Sequence, residues 1–210
     1  MFTDRTQAGQ LLGRMVAVRL RETGILVLAL PRGGVPVGIE VARCLKPPVD
    51  FDIFLVRKLG VPDREELAFG AIASGGVRVL NRTIIEMADL SNDQIEEVAR
   101  REQRELERRE RLYRNGRSPV PPRDRTVLLI DDGLATGATM IAAVRAVREQ
   151  HARRLVVAAP VASREAAEDV RAVADEVICG EIRDPFYAVG YWYRDFDQVS
   201  DDEVRAILKR

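Results

Sequence analysis

Two adjacent carboxylates follow an apolar run in the middle of the chain. Residues 127–130 have the length and branching of a buried strand, and Asp131 and Asp132 come directly after them. A segment rich in glycine and threonine follows, and a helical pattern begins at Met140. In an open α/β sheet, ligands bind at the carboxyl ends of the strands. This order therefore predicts a crevice in which two acids, two hydroxyls and a helix N-terminus surround one ligand.

The segment between this strand and the helix is suited to a phosphate. Gly133 and Gly137 allow backbone N–H groups to converge on an anion, and the following helix adds its partial positive charge. Thr136 and Thr139 can donate hydroxyl hydrogens to the same phosphate. A phosphate needs donors, so the two acids must serve another group, either paired sugar hydroxyls or a hydrated Mg²⁺. The segment therefore predicts a site for a sugar phosphate, with the acids on a ribose.

A second candidate loop follows the apolar residues 25–30. The paired Gly33 and Gly34 allow the backbone to approach a ligand closely, and Arg32 offers a planar fork for phosphate. An ordinary strand-to-helix turn with a surface arginine is the alternative. The sequence contains no G-x-x-x-x-G-K-S/T, and residues 33–38 lack G-x-G-x-x-G spacing. The sequence therefore lacks the signatures of nucleoside triphosphatases and of dinucleotide-binding enzymes.

The acidic segment also resembles a known family. Residues 128–139, Leu-Leu-Ile-Asp-Asp-Gly-Leu-Ala-Thr-Gly-Ala-Thr, are similar to the phosphoribosyl pyrophosphate (PRPP) signature of the type I phosphoribosyltransferases. By that resemblance, Asp131 and Asp132 hold the ribose 2′- and 3′-hydroxyls, and the loop that begins at Arg32 binds pyrophosphate together with Gly33 and Gly34. The resemblance further implies that the 5′-phosphate lies on Ala135, Thr136, Gly137, Ala138 and Thr139.

The resemblance implies a reaction as well as a ligand. The expected enzyme transfers ribose-5-phosphate from PRPP to a nitrogenous base, releases pyrophosphate and uses Mg²⁺ as cofactor. A PRPP-sensing regulatory protein that binds PRPP without turnover is the alternative. Arg57 and Lys58 correspond in order to the start of the mobile catalytic loop, which would continue through Arg64, Glu65 and Glu66 and close over the polyphosphate. A solvated turn is the alternative for those last three residues. The implied catalytic set is Asp131, Asp132, Lys58 and Arg57, with Asp131, Asp132 and Asp195 near the metal.

An aromatic tail is the candidate for binding the base. Residues 180–199 are rich in aromatic side chains in a chain otherwise poor in them, and planar bases stack well on such rings. The tail is similar to the hood of the 6-oxopurine phosphoribosyltransferases, which implies base stacking by Phe186, Tyr187 and Trp192. A hydrophobic cluster that closes the sheet edge is the alternative. Ala135 stands where the 6-oxopurine enzymes carry an aspartate, and in this respect the chain is instead similar to the adenine and orotate branches. The sequence therefore leaves the base unspecified.

The remaining pattern predicts an α/β fold with a mainly parallel sheet flanked by helices. The predicted strands are residues 25–30, 49–56, 127–130, 154–159 and 176–179, and the predicted helices are residues 6–20, 35–45, 83–88, 91–113, 140–149 and 163–173. A hairpin is expected around Gly75 and Gly76. We expect one domain over residues 1–210, with a C-terminal hood at 180–199.

Residues 81–123 are predicted to be a helical insertion with a connector. Ser91 and Gln94 form a capping box at the start of its long helix, whose charges alternate in sign around a thin apolar stripe. This pattern is typical of a solvated, salt-bridged helix packed along one edge, where it would cover the lid or a dimer seam. Residues 116–122 then form a stiff polar connector.

Composition limits the classes of partner. The chain has 210 residues with 46% hydrophobic content, and its 33 Lys and Arg residues equal its 33 Asp and Glu residues. A net charge of zero gives no reason to expect nucleic acid or a membrane surface as partner. Cys44 and Cys179 form no metal-binding motif, and no signal pattern begins the chain, so a cytoplasmic protein is expected. The resemblance adds a homodimer as the expected assembly.

Overall fold

Two β-sheets and the helices around them make up the fold. The computed structural model describes residues 1–209, without the side chain of Glu66; that side chain of the predicted lid and Arg210 lie outside the described residues. The strands are β1 (Ile25–Ala29), β2 (Val49–Ile53), β3 (Val56–Val61), β4 (Arg64–Ala73), β5 (Val77–Leu80), β6 (Thr126–Ile130), β7 (Arg154–Ser163) and β8 (Glu176–Arg183). The helices are α1 (Arg5–Arg19), α2 (Gly34–Cys44), α3 (Arg82–Met87), α4 (Asn92–Arg114), α5 (Ala138–Glu149), α6 (Arg164–Arg171) and α7 (Asp201–Leu208), with a 3-10 turn at Val189–Trp192.

The larger sheet is parallel, with strand order β2-β1-β6-β7-β8. Every residue of β1 and β6 is buried, as expected for strands covered on both faces. Ile25 and Val27 pack with α1 and α2 on one face, while Leu26 and Leu28 pack with α5 and α6 on the other. The predicted α/β fold is therefore confirmed, and it places the end of β6 at the centre of one sheet edge.

The smaller sheet was not fully expected, because the sequence predicts one strand over residues 49–56. In the structure β2 ends at Ile53, and β3 begins a separate antiparallel sheet of order β3-β4-β5. Phe54 and Leu55 connect the two sheets and are buried, so their apolar character resembles a strand interior. The N–H of Leu55 donates to the Ser74 hydroxyl at 3.1 Å, which turns the chain out of the first sheet.

The predicted lid lies within this smaller sheet. Residues 56–61 and 64–73 form β3 and β4, and only Pro62 and Asp63 lie between them. Asp63 has a positive φ of 61°, which closes a tight hairpin. The predicted hairpin around Gly75 and Gly76 is confirmed, since both residues have positive φ between β4 and β5.

Helix α4 covers the smaller sheet and contacts α7. The predicted capping box at Ser91 and Gln94 is confirmed by hydrogen bonds in both directions. At the other end, Arg114 donates to both carboxylate oxygens of Asp52 at 2.7 and 2.6 Å, and to the carbonyl of Ile53 at 2.8 Å. Arg114 and Asp52 are both buried, so this ion pair anchors α4 to β2.

The N-terminus of the chain pairs with the aromatic tail beside the larger sheet. The backbone N–H of Phe2 donates to the carbonyl of Trp192 at 2.7 Å, and the N–H of Arg194 donates back to the carbonyl of Phe2 at 2.8 Å.

The remaining elements differ from the prediction in two ways. Strands β7 and β8 extend four residues beyond their predicted ends, and α7 was not predicted. None of the helices in the described residues combines the length and apolarity that crossing a bilayer requires.

Candidate functional site

The acidic pair lies at the end of the central strand of the parallel sheet. The N–H of Asp131 donates to the carbonyl of Ala158 at 3.4 Å, and the N–H of Asp132 donates to the Asp131 Oδ1 at 2.9 Å. Burial raises the pKa of Asp131 well above its ordinary value, and the charge of Asp132 raises it further. Two acids in this environment favour a nearby cation or hydroxyl donors.

One such cation comes from the first helix. The Nε of Arg5 donates to the Oδ2 of Asp132 at 2.8 Å, and its Nη1 donates to the carbonyl of Asp197 at 2.8 Å. The guanidinium also lies 3.9 Å from the centre of the Phe196 ring. Sequence reasoning missed Arg5, since 127 residues separate it from Asp132 and nothing local marks it.

The tail adds a second support to the same acid. The hydroxyl of Tyr193 donates to the backbone carbonyl of Asp132 at 2.6 Å. Burial raises the pKa of Tyr193 above its ordinary value, so the phenol stays protonated as a donor. Asp195, the further candidate for the metal, is exposed, and its Oδ1 accepts from the N–H of Asp197 at 3.2 Å.

The glycine loop before α2 lies directly against the acidic pair. A Cβ at Gly33 would lie 1.9 Å from the Oδ2 of Asp132, and a Cβ at Gly34 would lie 2.7 Å from the carbonyl of Ile130. Such distances are far below van der Waals contact, so the close approach requires glycine at both positions. The structure thus brings together the two loops that the sequence singled out.

Arg32 of the same loop has a carboxylate partner that the sequence did not reveal. Its Nη1 lies 3.7 Å from the Oδ1 of Asp201, the first residue of α7. The hydroxyl of Tyr113 donates to the same oxygen at 2.6 Å. Burial, followed by this hydrogen bond, raises the pKa of Tyr113 to about 12. Arg32 is partly exposed, which leaves its guanidinium accessible to another anion.

The predicted phosphate loop leads into α5 as expected. Gly137 precedes the helix with a positive φ of 71°. The side chains of Ala135, Thr136 and Thr139 are exposed around this helix start, while Ala138 is half-buried. The open N-terminus of α5 therefore offers backbone N–H groups and two threonine hydroxyls on one surface.

Arg57 and Lys58 lie on opposite faces of β3, because successive strand residues alternate in direction. Arg57 faces α4, where its Nε and Nη2 bind the Oε2 of Glu102 at 2.8 and 2.5 Å. Lys58 lines a cavity together with Ala138 of the phosphate loop. The structure therefore brings Lys58 toward the predicted site, whereas Arg57 pairs with Glu102 instead of approaching the acids.

A cavity of about 350 Å³ lies between the phosphate loop and the tail, and Ala135, Ser163 and Phe186 are among its lining residues. The hydroxyl of Ser163 donates to the carbonyl of Ala135 at 2.7 Å. Phe186 stacks on Trp192 with 6.2 Å between ring centres, and Trp192 packs into a hydrophobic cluster with Phe2 and Tyr193. Tyr187 is 75% exposed and does not line the cavity. Of the three predicted stacking residues, only Phe186 lines it.

Comparison with known proteins decides the family. A family model described as a phosphoribosyl transferase domain matches residues 62–193. The chain belongs to the phosphoribosyl transferase family. The match begins after the glycine loop at Arg32, but relatives extend the similarity over the whole chain. Rv0571c of Mycobacterium tuberculosis, provisionally named a phosphoribosyl transferase, is 44% identical over 210 residues, which are 100% of this chain and 47% of the relative.

This family member spans about half the length of the curated relatives it matches. Among solved structures, the crystal structure of TT1426 from Thermus thermophilus is similar, with a TM-score of 0.90, 43% identity and coverage of 99% of this chain and 97% of that chain. A hypoxanthine phosphoribosyltransferase from Staphylococcus aureus is similar in fold alone, with a TM-score of 0.50, 10% identity and coverage of 85% and 74%. The predicted resemblance to type I phosphoribosyltransferases is confirmed.

Proposed function

We propose that this chain binds PRPP and transfers its ribose-5-phosphate to a nitrogenous base with release of pyrophosphate. The observation that carries the proposal is the contact of Gly33 with the Asp132 carboxylate, since it joins a glycine loop to an acidic pair at the end of the central strand. PRPP carries a phosphate group on each side of its ribose. Two anion-binding loops on either side of two acids match that arrangement.

Each part of PRPP has a candidate position in this proposal. The open N-terminus of α5, with Thr136 and Thr139, takes the 5′-phosphate. Asp131 and Asp132 accept hydrogen bonds from the ribose hydroxyls, which requires that Arg5 shares Asp132 with the sugar. The glycine loop at Arg32 takes the pyrophosphate, whose charge replaces that of Asp201 beside the guanidinium.

We propose Mg²⁺ as the cofactor, because this ion binds through one or two carboxylates together with substrate phosphates. Asp131 and Asp132 would hold it through water or through the ribose hydroxyls. In the described part of the chain, no three His, Cys, Asp or Glu side chains form a group that could hold a metal, so PRPP must supply further ligands. When bound, the ion supplies positive charge for the departing pyrophosphate. We leave Asp195 out of this set, since its carboxylate binds the local backbone.

We assign the base to the cavity beside Phe186. Three acids, Glu165, Glu168 and Asp184, and two arginines, Arg164 and Arg183, line it, and the Nε of Arg164 lies 3.3 Å from the Oδ2 of Asp184. A lining with both carboxylates and guanidinium groups favours a base that presents N–H donors as well as carbonyl acceptors. Tyr187 and Trp192 do not line this cavity, so we propose only Phe186 as the residue that stacks on the base.

Two measurements test the proposal. Isothermal titration calorimetry with PRPP and Mg²⁺ should detect binding to the native chain and a loss of at least about a hundredfold in Asp131→Asn with Asp132→Asn, since two charge-assisted contacts disappear. Asp169→Asn, an exposed acid of α6, is the matched control. A panel of purine and pyrimidine bases should then identify one that releases pyrophosphate. Unchanged PRPP affinity in the double variant would contradict the site assignment.

A PRPP-sensing protein without turnover is the second candidate function. It is favoured by the pairing of Arg57 with Glu102, which removes one predicted catalytic cation, and by the missing carboxylate at Ala135. The base panel separates the two functions, because a sensor binds PRPP but releases pyrophosphate with none of the bases. The homodimer and the cytoplasmic location stay predictions, to be checked by analytical ultracentrifugation and by cell fractionation.

A further inference from the structure

A second cavity, of about 540 Å³, lies between α5 and the antiparallel sheet. Residues of β3, β4, β5, α3 and α5 line it, and the acidic pair and the glycine loop do not. Its volume is within the range of sites that bind small molecules. Among the residues that line it, Ala138 belongs to the phosphate loop and Lys58 to the catalytic set implied by the family resemblance. The function proposed above does not use the others.

The charges around this cavity are all positive. Lys58, Arg82 and Arg145 line it, and none of the residues that line it is acidic. Among the described side chains, no carboxylate lies within 4.0 Å of these three cations, whereas nearby Arg57 and Arg78 each have a glutamate partner. Three cations around one cavity, in a chain with zero net charge, produce a local positive potential that attracts an anion.

The rest of the lining is largely apolar. Val79 of β5, Ile84 of α3 and Ile141 of α5 contribute hydrocarbon surface, and Asn81 adds an amide. Binding sites for small molecules combine such apolar surface with a few polar groups that fix orientation. A simple inorganic anion would leave this surface unused, because only a ligand with an apolar body can bury it.

We propose that this cavity binds a small anionic molecule with an apolar, aromatic-sized body. The phosphate, sulfonate or carboxylate of the ligand lies among Lys58, Arg82 and Arg145, and its body packs against Val79 and Ile141. This site adjoins the position proposed for PRPP and shares Ala138 and Lys58 with it, whereas Arg82 and Arg145 line only the new site. The inference therefore does not require the transferase function.

The test uses 8-anilinonaphthalene-1-sulfonate (ANS) as the anionic probe and N-phenyl-1-naphthylamine as its neutral counterpart. Fluorescence titration of the full chain should give one ANS site, with affinity at least about tenfold higher than for the neutral probe. The double variant Arg82→Ala with Arg145→Ala should weaken ANS at least about tenfold. Both arginines are exposed, so their removal should leave the thermal unfolding midpoint unchanged.

Two further variants control for charge and for folding. Arg14→Ala with Arg171→Ala removes two exposed arginines elsewhere and should retain ANS affinity, while Arg82→Lys with Arg145→Lys should retain most of it. The inference is wrong if the native chain does not bind ANS, if the neutral probe binds equally well, or if the Arg82 and Arg145 variant binds like the control.

Discussion

Replacement of Arg5 by alanine tests how the acidic pair is held in place. The side chains of Arg5 and Asp132 are 12% and 14% exposed, so their contact at 2.8 Å is closer to a buried ion pair than to a surface one. A hydrogen bond between charged groups contributes about 1.5–3 kcal/mol. The stacking of the guanidinium on Phe196 adds about 0.5–2 kcal/mol. We therefore expect Arg5→Ala to lower the free energy of unfolding by about 2–5 kcal/mol.

The assay is urea unfolding followed by circular dichroism. Arg14→Ala, on the exposed face of the same helix, is the control and should change the free energy of unfolding by less than about 0.5 kcal/mol. A double-mutant cycle of Arg5→Ala with Asp132→Asn isolates the charge-dependent part of the contact, because asparagine keeps an oxygen that can accept from Arg5, and the coupling energy should be about 1–2 kcal/mol. Arg5→Lys should recover part of the loss, because lysine keeps the charge but not the planar contact with Phe196.

Two outcomes would refute this reasoning. A loss below about 0.5 kcal/mol in Arg5→Ala would mean that the ion pair is as weak as an exposed one. A coupling energy of zero in the cycle would mean that Arg5 acts through Phe196 or Asp197 and not through Asp132. Either result would remove Arg5 from the description of the site.

Three other perturbations test separate parts of the structure. Gly33→Ala should weaken PRPP binding in calorimetry at least about tenfold with the fold retained, since its Cβ would lie 1.9 Å from Asp132; unchanged affinity would contradict the close approach. Arg114→Met should lower the free energy of unfolding by about 3–5 kcal/mol in urea, because the buried Asp52 loses its counter-ion and keeps only backbone N–H donors, and a loss under about 1 kcal/mol would place the pair in solvent. Burial raises the pKa of Cys179 to about 11, so iodoacetamide should modify this thiol slowly in the native chain at mildly alkaline pH. Mass spectrometry measures the extent of modification, and rapid modification would argue against burial.

The parts of the site that the sequence predicted are local in the chain. An apolar strand, two acids, a glycine turn and a helix start follow one another within residues 126–149, and each has its own pattern of residue types. The same holds for the capping box at Ser91 and the hairpin at Gly75. Because these features depend on neighbouring residues, one sequence was enough to place them.

The boundary between β2 and β3 was not predictable in this way. Phe54 and Leu55 are as apolar as the strand residues on either side, and both are buried. What separates the strands is the change of partner, from β1 to β4, and the hydrogen bond to Ser74. A periodic pattern records burial but not the identity of the neighbouring strand.

The contact partners of the predicted site residues could not be predicted from the sequence either. The contact of Arg57 with Glu102 spans 45 residues, and that of Tyr113 with Asp201 spans 88. A glutamate in a charged helix and an aspartate at the start of a C-terminal helix are common features, so neither marks a site. Only the packing of α4 and α7 against the sheets brings them to the predicted cations.

These partners determine which cations a bound polyanion can recruit. Arg32 lies 3.7 Å from an Asp201 side chain that is 42% exposed, and an exposed pair of this kind contributes at most about 1 kcal/mol. The side chain of Glu102 is 9% exposed, and its Oε1 also accepts from the Nε of Arg101 at 3.0 Å. Separating Glu102 from Arg57 would therefore remove one of its two cations and cost about 1.5–3 kcal/mol, as for a hydrogen bond between charged groups. A phosphate should therefore displace Asp201 from Arg32 at a smaller cost than Glu102 from Arg57. Under the proposed function, Arg32 and Lys58 are the cations that pyrophosphate would contact first in this conformation, and Arg57 would require the loss of its contact with Glu102.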